Sequence, residues 1–222
     1  RALKIPLSAL VPEVMSDHLA ERSSTAAIVR GALSEEERWL HVDDDQPLSR
    51  LRDLQVRLEA TWSATQNGDH RSVGRALPAL IGDTDRLARL RPEPSVFAIQ
   101  AMVYNAAEFS LTKMGDPQAA WIAAERGVLA ADQAEDPAIC ITLRRALVHA
   151  LQSNEDYGAA VRLAHALTEE ALSSGPLREP RFASAVGTLQ LAGSMAAARQ
   201  SDPRAVRGFI QLAQGMLEVV PA

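Results

Sequence analysis

The side chains that could bind a metal or attack a substrate are few and widely spaced in this sequence. His149 and His165 fall on two neighbouring helical segments and could face one another, but no third ligand follows at a suitable spacing. Cys140 lies in an apolar run, at least a quarter-turn out of phase with His149 on one helix. We therefore expect Cys140 to be packed rather than nucleophilic, and we predict no metal site.

Two acidic clusters have equally ordinary explanations. The run Asp43–Asp45 suggests a cation site, but no further oxygen ligands follow at a fixed spacing, which favours a solvated linker. Glu169 and Glu170 are adjacent on a predicted helix and so point about 100° apart, as on a solvated face. The sequence also lacks a Ser/His/Asp arrangement, a phosphate-binding glycine loop and a nucleotide fingerprint. We predict no enzyme activity and no cofactor.

A turn that recurs four times sets the positions of the helices. Its copies are Asn67-Gly68-Asp69, Met114-Gly115-Asp116-Pro117, Asn154-Glu155-Asp156 and Ser201-Asp202-Pro203. Spacings of 47, 40 and 46 residues separate Asp69, Asp116, Asp156 and Asp202. Glycine can end one helix in the left-handed conformation, and aspartate can cap the next. A period of this length is typical of stacked helix pairs. The sequence predicts an all-α fold, an α-solenoid of antiparallel helix pairs over residues 51–222.

Composition limits the class of protein and its surroundings. The net charge of −5 and the aromatic content of 4% argue against direct nucleic-acid binding by this segment. The single cysteine fits a reducing cytoplasm. No apolar run approaches the roughly 18 residues that span a bilayer, so we expect no membrane association. The first residues, from Arg1, have neither a signal-peptide layout nor Met, which indicates a trimmed or partial chain.

The part before residue 51 differs from the rest. Residues 1–11 are interpreted as a short amphipathic helix or the end of one. Residues 12–50 are interpreted as a linker with one short helix, from about Thr25 to Leu40. That helix carries Ile28, Leu33, Trp39 and Leu40 among polar residues, so its apolar side could dock weakly.

Two families resemble this sequence. The segments that begin at Asp69, Asp116, Asp156 and Asp202 carry a small or apolar residue a few positions later, which looks like the tetratricopeptide pattern, although the spacing exceeds the usual 34 or so. The C-terminal regions of actinobacterial helix-turn-helix regulators of the XRE type are a closer match. The resemblance covers about residues 51–172 and rests on Trp62, Leu77–Ile81 (LPALI) and Lys113–Arg126 (KMGDPQAAWIAAER).

The XRE resemblance implies an arrangement of domains and partners. Residues 3–11 (LKIPLSALV) are similar to the last helix of the DNA-binding domain of those regulators. The base-reading residues would then lie upstream of residue 1, and this chain would be a sensor or oligomerisation domain. Its expected partners are DNA, through a domain mostly absent from this chain, a second copy of itself and a small ligand or peptide.

The first helix of each pair in such a solenoid faces the concave groove, where repeats commonly bind. Counting back from each turn gives the groove candidates Gln55, Trp62, Asn105, Phe109, Arg145, His149, Thr188 and Met195. This mixture of aromatic side chains and directional polar groups suits an amphipathic small molecule or a peptide. Arg145 could bind a carboxylate through two of its N–H groups. The alternative is that the aromatic residues and Met195 are ordinary core and that Arg145 is solvated.

The last helix, Ala205–Val220, has a broad apolar face where a solenoid usually ends in polar residues. Phe209 and Met216 lie seven residues apart and are candidates for a symmetric dimer interface. The alternatives are that more helices follow in the complete protein or that the helix packs onto the fourth pair alone. The sequence thus favours a ligand-binding, dimeric sensor domain of a transcriptional regulator, with a constitutive protein-interaction scaffold as the second hypothesis.

Overall fold

The computed structural model describes residues 13–34 and 49–218, with the side chains of residues 19–34 and 49–218. These residues form nine helices and no strand, which confirms the all-α prediction. The helices are α1 (Glu13–Ala32), α2 (Leu51–Gln66), α3 (His70–Leu90), α4 (Pro94–Met114), α5 (Pro117–Ala131), α6 (Pro137–Ser153), α7 (Tyr157–Ser174), α8 (Pro180–Arg199) and α9 (Pro203–Leu217).

Aspartate caps and prolines begin most of the helices. The side chain of Asp69 accepts a hydrogen bond from the Ser72 amide, and that of Asp116 accepts one from the Ala119 amide. Asp136, Asp156 and Asp202 cap α6, α7 and α9 in the same way. These caps satisfy amides that have no partner inside a helix. The predicted starts of these helices are therefore explained by local chemistry.

The turns before all five of these helices use the left-handed conformation, at Gly68, Gly115, Glu135, Glu155 and Ser201. Gly115 has φ of 83°, which glycine adopts without steric cost. Glu155 and Ser201 occupy the corresponding turns with φ of 62° and 57°. Side chains disfavour that region, so the turn geometry is kept in the third and fourth pairs by residues less suited to it.

The helices after residue 50 pack as four successive pairs: α2 with α3, α4 with α5, α6 with α7, and α8 with α9. The second helix of each pair also packs on the first helix of the next pair. The first helices α2, α4, α6 and α8 contact one another in series. Small residues allow this close approach, since Gly127, Ala123 and Ala124 are buried on one side of α5. A continuous row of first helices positions the candidate site.

Helix α1 differs from the helix expected at Thr25 to Leu40, because it begins earlier and ends at Ala32. It packs on α3 and α4 through Ala26, Val29 and Leu33. Ile28 is exposed instead of buried. Leu33 is buried as the sequence predicted, whereas Val29 and the small residues Thr25 and Ala26 take the place expected for Ile28.

Polar contacts join α1 to the turn between α4 and α5. Arg30 Nε lies 2.7 Å from Asp116 Oδ2, and Arg22 donates to the backbone oxygen of Lys113. The short helix predicted over residues 1–11 lies outside the described residues, as do Trp39, Leu40 and Asp43–Asp45. No helix in the described ranges has the length and apolar character needed to cross a membrane.

Candidate functional site

Three aromatic rings from three successive first helices form a row across the surface of those helices. The rings of Trp62 on α2 and Phe109 on α4 have centroids 5.4 Å apart. Phe109 then stacks on His149 of α6, with centroids 6.0 Å apart. Lys113 Nζ lies 4.6 Å from the Phe109 ring centroid, a cation–π arrangement. All three ring-bearing residues are half-buried. We call the surface that carries this row the first-helix face.

Glu108 lies directly beneath the row and is completely buried. Its Oε1 accepts hydrogen bonds from His149 Nδ1 at 2.8 Å and from Thr112 Oγ1 at 3.1 Å. An ionised Glu108 can only accept, so His149 Nδ1 is the donor in that state, and the contact leaves Nε2 for another partner. Glu108 Oε2 has no hydrogen-bond partner. Buried polar atoms are normally paired, so this oxygen is an unusual feature of the site.

Glu108 was missing from the sequence-based candidates. The sequence contains a signal for it, since Glu108 is the single charged residue between Arg91–Glu93 and Lys113 in a helix rich in alanine and apolar residues. A lone charge in such a stretch is rarely buried without a partner. Its partner, His149, was already a candidate on the next first helix, but the contact between the two side chains is visible only in the structure.

Arg145 extends the row along α6. Its guanidinium is half-buried, and Nη2 lies 3.5 Å from Oδ1 of the buried Asn105, which is at the long limit for a hydrogen bond. Burial lowers the pKa of Arg145 from its usual value, while the charge of Glu108 opposes that shift. A guanidinium held this way has N–H groups left over to bind an anion.

The far end of the first-helix face is an open pocket of about 510 Å³. Thr188 of α8 lines it with Met102 of α4 and Thr142 of α6. Gln55 and Met195 lie outside both the aromatic row and this pocket, on the exposed surface of α2 and α8. Six of the eight predicted groove residues therefore lie in the row, beside it or in the pocket, and two do not.

The two dimer-interface candidates are not on an exposed face. Phe209 is completely buried, and its ring lies 4.3 Å from the ring of His165, centroid to centroid. Met216 is half-buried near Gly187. The sequence assigned these two residues to an interface because they repeat every seven positions. The structure instead packs this side of α9 onto α7 and α8, which corrects the assignment of Phe209.

The histidines and the cysteine take up structural contacts. His149 contacts α4 and His165 contacts α9, so the two rings have different partners. Cys140 Sγ donates to the Ala131 backbone oxygen at 3.2 Å, and burial raises its thiol pKa. Within the described ranges, no cluster of three His, Cys, Asp or Glu residues could hold a metal ion.

The arrangement has the chemistry of a binding surface: stacked rings, a guanidinium with free donors and a histidine nitrogen. Such groups can orient an amphipathic molecule without changing a covalent bond in it. Comparisons of this chain with protein-family models, with curated proteins and with solved structures found no match.

Proposed function

We propose that residues 51–217 form a solenoid of antiparallel helix pairs similar to tetratricopeptide repeats. The packing supports this, because each pair contacts the next and the first helices touch one another in series. Each unit in a solenoid buries its apolar side against its neighbours. A continuous surface of first helices results, which is suited to binding an extended molecule.

We propose that this solenoid is the sensor domain of a transcriptional regulator and binds a small ligand or peptide on the first-helix face. The observation that carries the proposal is the row of Trp62, Phe109 and His149, which joins three helices distant in sequence. An ordinary core would bury these rings, whereas all three are partly open to solvent.

Each part of the site has a role in this proposal. Trp62 and Phe109 receive an aromatic or apolar group of the ligand by stacking. Arg145 binds a carboxylate with the N–H groups that Asn105 leaves free. His149, held by Glu108, accepts a hydrogen bond at Nε2. The ligand class is therefore an aromatic carboxylic acid or a short peptide with a free carboxyl end.

Helix α1 offers a route from the ligand to DNA. Lys113 contacts the Phe109 ring with its side chain and receives Arg22 of α1 with its backbone oxygen. In the proposal, α1 leads back to the DNA-binding domain that the XRE resemblance implies. A ligand that binds more tightly when α1 is in one position would shift the protein toward that position. The largest change in DNA affinity that it can cause is set by the ratio of the ligand's affinities for the two positions. The regulator would act in the cytoplasm.

The experiment is a thermal-shift screen of the chain against aromatic carboxylates, such as indoleacetate and phenylpropionate, and short peptides that end in an aromatic residue. Binding to the folded state raises the unfolding temperature. We expect Phe109→Ala to abolish the shift. Val56→Ala, a change at an exposed position elsewhere on α2, should preserve it. An unchanged shift in Phe109→Ala would refute the site, and a screen with no shift at all would favour a constitutive scaffold.

Dimerisation is the second part of the proposed function. Helix α9, the second helix of the fourth pair, exposes Ile210 and Leu217 on one side and Leu212 about 200° away around the helix. Large apolar side chains exposed on one side of a helix are typical of an interface. A second copy that pairs through this side would give the regulator two DNA-binding domains.

A further inference from the structure

A second cleft lies away from the first-helix face, between the end of α1 and helices α5 and α6. Its volume is about 700 Å³. Its walls are mostly apolar and come from Leu33 of α1, from Ile122, Val128 and Leu129 of α5, and from Leu147 of α6. Clefts of about 300–1,000 Å³ with apolar walls and a few polar groups are typical of small-molecule sites.

The outward side of α5 is unusual for a surface helix. Ile122, Arg126 and Leu129 follow one another at spacings of four and three, so they share one side of the helix. Ile122 is 40% exposed and Leu129 is 68% exposed. A solvent-facing helix side normally carries polar residues. Two large aliphatic side chains in one cleft are therefore unusual and make it a candidate binding surface.

Arg126 is the charged group in the wall of this cleft that lacks a partner. Its Nη1 is buried and has no hydrogen-bond acceptor. A buried donor of a guanidinium without an acceptor is energetically costly, and such groups are normally paired. Glu125, the next residue, also lines the cleft, but its side chain is exposed to solvent, unlike the buried nitrogen of Arg126. An anion from outside the chain would complete the hydrogen bonding of Arg126.

The cleft is separate from the proposed ligand site. Leu147 lies two residues from both Arg145 and His149, so it points about 200° away from each around α6. None of the residues that line the cleft belongs to the aromatic row. Binding here does not depend on the function proposed for the first-helix face.

We propose that this cleft binds a single-chain anionic amphiphile, of the fatty-acid class. Arg126 pairs with the carboxylate, and the hydrocarbon chain lies along Ile122, Leu129 and Leu33. Charge complementarity decides the head group, because the unpaired wall group is a cation. The apolar walls decide the tail, since burial of hydrocarbon is the main source of affinity in such a site.

Isothermal titration of the whole chain with decanoate, below its micelle concentration, tests the proposal. We expect saturable binding, tighter for decanoate than for octanoate and absent for decyltrimethylammonium, which has a cationic head. Arg126→Met should weaken decanoate binding about 10- to 100-fold, the range expected for one hydrogen bond to a charged group. Leu129→Ser should weaken it through loss of the apolar wall.

Phe109→Ala is the control variant, because it alters the first-helix face and leaves the cleft intact, and it should bind decanoate like the wild type. Circular dichroism of each variant checks that it is folded. Equal binding by Arg126→Met and wild type would overturn the proposal, as would the absence of binding to the folded wild type. Decanoate binding that is absent in the wild type and appears only in the double variant Trp39→Ser, Leu40→Ser would also overturn it. That result would mean that residues 35–48, and not an external ligand, occupy the cleft.

Discussion

At the scale of single residues, the pair of Glu108 and His149 sets the chemistry of the first-helix face. The completely buried carboxyl group of Glu108 is hydrogen-bonded to His149 Nδ1, and this bond fixes the orientation of the ring that stacks on Phe109. One carboxylate oxygen remains without a partner. The pair therefore positions the outermost ring of the aromatic row, at the expense of one unsatisfied buried atom.

Replacement of Glu108 tests this positioning role. Glu108→Ala leaves His149 Nδ1 and Thr112 Oγ1 without their acceptor, so we expect the free energy of unfolding to fall by about 1–3 kcal/mol. Glu108→Gln keeps an amide oxygen in place and should lose less. Urea denaturation at neutral pH gives both values. A larger loss for Gln than for Ala would contradict the hydrogen-bonding role of Glu108.

His70, the first residue of α3, makes stability depend on pH. Burial lowers the pKa of its imidazole, and the charges of Arg22 and Lys113 lower it further, against Glu21 and Asp69. Below about pH 6.5 the unfolded chain thus binds more protons than the folded chain, and stability falls as the pH drops. We expect His70→Gln to lessen the fall in unfolding free energy that begins below about pH 6.5. A profile as steep as that of the wild type would assign the dependence to other groups.

At the scale of helices, the sequence predicted where each helix begins better than which side of it is buried. Asp116-Pro117 and Asp136-Pro137 begin helices because cap and proline chemistry is local. The docking side of α1 depends on what it meets. Thr25 contacts Gly74 across the α1–α3 interface, where a larger side chain would not fit. The sequence around Ile28 does not show that α1 meets Gly74, so it does not show which side of α1 is buried.

The glycines of α3 and α5 offer a matched test of helix packing. A Cβ on Gly127 would clash with the side chain of Leu143 and press on that of Tyr104. We expect Gly127→Ala to lower the free energy of unfolding by about 1–3 kcal/mol through overpacking. Gly82 has open space around it, so Gly82→Ala should stabilise the chain by about 0.5–1 kcal/mol. Thermal or urea unfolding measures both. A neutral Gly127→Ala would show that α5 and α6 are not in such close contact.

Helix α9 has two sides with different expected effects. Phe209→Ala should cost about 3–5 kcal/mol, because the ring is completely buried against α7 and α8. Ile210→Glu with Leu217→Glu should change stability little, since both side chains are exposed. In the proposed dimer, this second pair of changes converts dimer to folded monomer, as light scattering would show. A wild-type monomer would remove the interface from the proposal.

At the scale of the whole molecule, the turn period predicted which helices lie side by side. It therefore placed Trp62, Phe109 and His149 correctly on neighbouring first helices. Gln55 and Met195 lie two turns from Trp62 and Thr188 on the same sides of α2 and α8, exposed and beyond the row and the pocket, and their role stays a prediction. The buried Glu108 and the cleft at Arg126 depend on contacts between helices far apart in sequence, which a single sequence does not display.

The most direct test of the binding site uses the indole N–H signals of the three tryptophans, Trp39, Trp62 and Trp121, in the nitrogen-labelled chain. The strongest binder from the panel of aromatic carboxylates and peptides is titrated to saturation, and Trp62→Phe assigns the signal. The account predicts a large shift of the Trp62 signal, while that of Trp121 on α5 stays in place. A Trp62 signal that does not move in the saturated sample would contradict ligand binding on the first-helix face.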